Sequence, residues 1–106
     1  MAVDTSSFGR MIASRRKELK MSQKDLAARI RKEDGEPITP QYLNDIEHDR
    51  RSPSSDHMVK EFARVLDMKA DVLYLVAGRV PGDIKRDKIS PQKMEKAVAL
   101  FRKALQ

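Results

Sequence analysis

Two short stretches of this chain, SQKDLAARI (Ser22 to Ile30) and ITPQYLNDIEHDRRSPS (Ile38 to Ser54), each open on an explicit helix start. Ser22 with Asp25 three positions on has the residues of a capping box, and Thr39 followed by Pro40 is a hydroxyl cap with proline in the first turn. A polar loop separates the two starts, so the segments form two short helices rather than one long one. Neither helix can bury its apolar stripe alone, and both need further helices around them.

The flanking sequence supplies these in helical period. A first helix is predicted from about Ser7 to Leu19, with Phe8, Ile12 and Leu19 on one face, Arg10, Arg16 and Lys17 on others, and Arg15 interrupting the stripe. In the second, Leu26, Ala27 and Ile30 point inward, and RKEDGEP (Arg31 to Pro37) ends it with Gly35 and Pro37 as breakers. The third, Pro40 to about His48, buries Leu43 and Ile46, with Ile38 positioned to staple onto Leu43. Met58, Val59, Phe62, Val65 and Leu66 mark a fourth amphipathic helix from about Ser55 to Leu66. A fifth, Ala70 to Ala77, stops at Gly78. RVPGDIKRDKI (Arg79 to Ile89) reads as a linker, with Pro81 and Gly82 as turn residues. Ser90 and Pro91 then repeat the cap-plus-proline start, and Met94, Ala97, Val98, Phe101 and Leu105 make one stripe of a sixth helix, with Ile89 able to staple onto Met94. The expectation is an all-α chain: a compact five-helix domain over residues 1–78, a linker over 79–89 and a C-terminal helix over 90–106.

Composition narrows the possible chemistry. With 106 residues, 40% hydrophobic and no Trp, the core comes from aliphatic side chains and methionine. There is no cysteine, hence no disulfide and no thiol nucleophile, and two histidines nine positions apart, His48 and His57, do not make a metal site. No glycine-rich phosphate loop is present, and the carboxylates are scattered among basic residues as ion-pair partners. We therefore expect no enzymatic activity, no metal and no cofactor. No signal-like segment is evident, and the longest apolar run, Val72 to Ala77, is too short to span a bilayer, so no membrane association is expected. The net charge of +6 favours a polyanionic partner. Residues 1–53 carry 11 Lys/Arg against 9 Asp/Glu and residues 54–106 carry 11 against 7, so in the first half the placement of a few cations matters more than bulk charge.

Over roughly residues 8 to 78 the chain resembles the Xre/Cro family of phage-repressor-like helix-turn-helix proteins. The likeness rests on RRKELKMSQKDLA (Arg15 to Ala27), YLNDIE (Tyr42 to Glu47), the basic-then-proline exit at Arg50 to Ser54, and the amphipathic helix after it. Two departures stand out. RKEDGEP lengthens a connection that is a tight turn in the family, and Asp49 stands where the family often has glycine.

The resemblance implies that the helix beginning at Pro40 is a recognition helix, entering the DNA major groove by its N-terminal end. Pro40, Gln41, Asn44 and Asp45 are then the candidate base-contacting residues, since Gln and Asn can pair bidentately with adenine and Asp can accept from cytosine N4. The alternative for Gln41 is a solvated residue that stabilises its own helix. Candidate phosphate contacts are Gln23, in the family's usual Ser-Gln position, Lys24, Tyr42 at the helix margin, and Arg50 and Arg51. The run Arg15, Arg16 and Lys17 is read mostly as a solvated helix face.

A sequence-specific DNA-binding regulator of transcription follows as the leading expectation: a repressor acting as a homodimer on palindromic double-stranded DNA, cytoplasmic and nucleoid-associated. Met94, Val98, Phe101 and Leu105 are the candidate dimerisation residues; the same stripe can instead fold back on Val72, Leu73 and Val76. The competing expectation is an antitoxin-like or adaptor protein whose main partner is another protein.

Overall fold

Hydroxyl side chains start five of the six α-helices found among the described residues, 3–106, of the computed structural model. These are α1 (Phe8–Glu18), α2 (Gln23–Arg29), α3 (Pro40–Glu47), α4 (Asp56–Leu66), α5 (Ala70–Ala77) and α6 (Pro91–Ala104), with a 3-10 turn at Arg86–Lys88. Ser7, Ser22, Thr39, Ser55 and Ser90 each accept a backbone N–H three residues on, at 3.0–3.2 Å. At Ser22 the box is complete, because Asp25 accepts the Ser22 N–H in return. Such a cap is worth ~1 kcal/mol, which matters for helices this short. Only α5, beginning after Lys69, lacks a side-chain cap. No helix among the described residues is long and apolar enough to cross a membrane.

The five N-terminal helices close around one core in which Met11, Ile12, Leu26, Ile30, Leu43, Ile46, Val59, Phe62, Leu66 and Leu73 are fully buried. Phe62 packs edge-on against Phe8, ring centroids 5.9 Å apart. Burial of side chains this size stabilises the fold by roughly 1.5–3 kcal/mol each. α1 packs on α3, α4 and α5, while α2 lies against α3.

The structure revises the reading of the first helix. Met11 takes the core position beside Ile12, whereas Leu19, at the C-cap, is exposed. Arg15 folds over the end of α4 and donates to the Leu66 carbonyl at 2.9 Å while pairing with Glu18. Arg16 is not on a solvated face: it is buried against α3. Leu73 and Tyr74 of α5 also belong to the core, so Leu73 offers no surface for α6 to fold back on.

The long connection between α2 and α3 is a closed finger. Arg31 and Pro37 form an antiparallel bridge, Lys32 N–H donates to the Glu36 carbonyl at 2.8 Å, and Gly35 turns the tip at φ +88°. At its base the Ile38 N–H donates to the Ile30 carbonyl at 3.0 Å, bringing two core residues together. The inserted residues thus leave the chain close to where they entered. His57, Glu61 and Ser55 hold the finger to α4 through the Arg31 carbonyl, the Arg31 N–H and Glu33.

The segment read as a linker is anchored at its start. Arg79 donates to the Pro53 carbonyl at 2.9 Å and pairs with Asp56 at 3.5 Å. α6 then stands apart, with no buried residue.

Candidate nucleic-acid interface

α3 has two unlike faces. Leu43, Ile46 and Glu47 are buried, while Pro40 and Gln41 are exposed and Asn44 and Asp45 half-buried. The four residues that sequence reasoning assigned to base edges therefore share the outward side of one helix, with spacing that places Gln41 and Asp45 one turn apart.

Asp45 is the hub of that side. Its carboxylate accepts from the Gln41 amide at 3.1 Å and from Arg50 Nε at 3.2 Å, and lies 3.7 Å from Arg51 Nε. Its carbonyl accepts the N–H groups of Arg50 and Arg51 as the chain leaves the helix. The Arg51 guanidinium also stacks over the Tyr42 ring at 4.9 Å, a cation–π contact. One carboxylate thus gathers an amide and two guanidiniums whose ordinary task on a surface would be to find acceptors.

Gln23 faces α3 as well as solvent. Its amide nitrogen donates to Asn44 Oδ1 at 3.2 Å and to Glu47 Oε1 at 2.9 Å, so it bridges the two helices. The amide hydrogens assigned to phosphate are engaged within the protein, and Lys24 beside it is exposed. Glu47 in turn holds Arg16 with two hydrogen bonds, 2.7 and 2.9 Å, and Arg16 also reaches the Met21 carbonyl at 2.9 Å. Arg16, Glu47 and Gln23 line a cleft that the exposed residues Arg10, Lys17 and His48 also border.

Asp49 explains its own departure from glycine. It sits at φ +59°, a conformation that Asp tolerates better than most residues, and its carboxylate accepts from the Gly9 N–H at 3.0 Å and from Ser7 Oγ at 2.6 Å. The exit of α3 is thereby fastened to the first turn of α1. A Cβ on Gly9 would meet the Ile46 carbonyl oxygen at 2.2 Å, so this position admits only glycine at the present helix spacing.

Sequence reasoning missed the Arg16–Glu47–Gln23–Asn44 chain and the Asp49 cap. A signal for the first was present: Arg16 lies four residues after Ile12, in line with the apolar stripe, and Glu47 follows Ile46 directly.

A family model described as helix-turn-helix matches residues 12–73, more than half of the chain, from within α1 to within α5 and including all of α2, α3 and α4. No curated protein and no solved structure matches the chain.

Proposed function

Because the chain belongs to the Xre/Cro-like family of helix-turn-helix DNA-binding proteins, we propose that it is a sequence-specific repressor acting as a homodimer on a palindromic operator. Its general role, DNA-binding regulation of transcription, comes with the family. The finer reading is carried by one observation: the outward side of α3 collects Gln41, Asn44 and Asp45, while its inward side is locked to α1 and α2.

In this mechanism the N-terminal end of α3 enters the major groove. Pro40 lies against the base edges, the amides of Gln41 and Asn44 pair with adenine N6 and N7, and Asp45 accepts from cytosine N4. Gln41 reaches its base by leaving Asp45, exchanging one hydrogen bond for two. Gln23 and Lys24 at the start of α2, the Tyr42 hydroxyl, Arg50 and Arg51 hold phosphates on either side and fix the register. Two subunits joined through Met94, Val98, Phe101 and Leu105 occupy half-sites about one helical turn apart, and the occupied groove excludes polymerase. The site of action is the cytoplasm, on the nucleoid.

Selection from random duplexes tests this reading. The expected product is a palindrome with half-sites about one turn apart, bound with an affinity that falls roughly tenfold or more between about 50 and 200 mM salt. An unenriched pool or a flat salt response overturns it.

A further inference from the structure

The 14-residue helix α6 has no buried residue. Met94, Val98, Phe101 and Leu105 are 40%, 46%, 45% and 65% exposed. An isolated helix of this length is marginal in water, so its apolar face needs a partner. Among the described residues its own chain does not cover it: Leu73 is in the core, Val76 packs against that core, and Val72 and Leu75 of α5 are themselves exposed.

We propose that α6 pairs antiparallel with α6 of a second copy, in a register set by Glu95 and Arg102. The proposal deepens the homodimer reading above and rests on it. Met94, Val98, Phe101 and Leu105 are spaced four, three and four apart, the pattern of a two-helix seam. The residues beside that seam are asymmetric. Glu95 and Arg102 each follow a seam residue and lie on one flank, while Ala97 and Ala104 each precede one and lie on the other. Glu95 and Arg102 border a single groove with Met94 and Val98. Neither is in an ion pair among the described residues.

Orientation follows from the flanks. In a parallel pair unlike flanks meet, Ser90 against Glu95 and Ala97 against Arg102, and neither charge finds an opposite one. In an antiparallel pair like flanks meet, so Glu95 of each copy faces Arg102 of the other, twice by symmetry, while the alanine flanks allow close approach. The register that seats Met94 opposite Leu105 and Val98 opposite Phe101 brings these charges within side-chain reach. Lys93, Lys96 and Lys103 fall outside the seam and its flanks.

The full-length variants Glu95→Arg and Arg102→Glu test the proposal by sedimentation, with circular dichroism showing that the N-terminal domain stays folded. Each alone places two like-charged pairs across the interface and is expected to weaken the dimer by about tenfold or more. Mixed together they are expected to restore wild-type strength as a heterodimer, because each then supplies the charge the other lacks. If both single variants dimerise like wild type, or if the mixture does not recover, the antiparallel register is wrong while the homodimer itself stands. A wild-type chain that is monomeric at all concentrations, free and on its selected duplex, overturns both the pairing and the homodimer reading.

Discussion

Arg16 and Glu47, 31 positions apart, form a bidentate ion pair buried between α1 and α3. The remaining acceptor capacity of Glu47 goes to Gln23 of α2, and the remaining donor capacity of Arg16 to the Met21 carbonyl. One charged pair therefore sets three segments of the helix-turn-helix unit against each other. The same carboxylate that holds the fold also holds Gln23, and Gln23 holds Asn44 on the outward side of α3. Stability and the shape of the candidate reading surface are coupled here.

Glu47→Ala leaves a buried guanidinium unpaired and is expected to cost about 3–5 kcal/mol. Replacing both partners together, Arg16→Met with Glu47→Leu, is expected to cost much less, because no uncompensated charge remains. Urea denaturation of Glu47→Ala and of the double variant measures the difference; equal losses in both would show that packing, not charge, holds this contact.

Gly9→Ala forces a Cβ against the carbonyls of Ile46 and Glu47, both backbone, so relaxation requires α1 and α3 to separate. The expected loss is about 1–3 kcal/mol by thermal unfolding. A neutral substitution would mean that α1 and α3 can separate at no cost.

Asp49 combines a left-handed backbone with two accepted hydrogen bonds. Asp49→Ala loses the bonds and keeps the strain, whereas Asp49→Gly loses the bonds and relieves the strain. The predicted order of stability is Asp, then Gly, then Ala, with about 1–2 kcal/mol between the ends. Melting temperatures of the three proteins give the order directly.

Asp45→Asn frees Arg50 and Arg51 from an anion and removes one negative charge from the outward side of α3. Affinity for random duplex is expected to rise and discrimination to fall. By contrast Gln41→Ala is expected to cost about 1–3 kcal/mol on the selected site with little effect on random DNA, and Arg51→Ala to weaken all sequences alike. Titrations on both duplexes separate the three patterns, and identical behaviour of Gln41→Ala and Arg51→Ala would misplace the reading helix.

Glu61 accepts from Arg64 and from the Arg31 N–H, and Arg64 foremost holds its carboxyl below the usual glutamate range. A carboxyl depressed by folding adds stability above its unfolded value, and that stability is lost as the pH falls through the folded one. Glu61→Gln is expected to lower stability at neutral pH and to flatten the acid limb of the stability profile. A profile unchanged in shape would show that the contact with the finger carries no charge dependence.

The starts of the helices were legible in the chain because a cap acts over three or four residues: Ser22 with Asp25, Thr39 with Pro40 and Ser90 with Pro91 all do in the structure what their spacing announced. The amphipathic period of α4 was legible for the same reason, and so was the outward grouping of Gln41, Asn44 and Asp45, which follows from helical geometry once Leu43 and Ile46 are inward. Tertiary structure alone decided who pairs with whom across the chain. Arg16 could be read as solvated until Glu47 arrived beside it, Asp49 only as a departure from glycine until Gly9 and Ser7 met its carboxylate, and RKEDGEP only as a lengthened connection until Arg31 and Pro37 closed it. Local signals lie within a turn or two of backbone, whereas these partners meet only after packing has brought distant segments within hydrogen-bond reach.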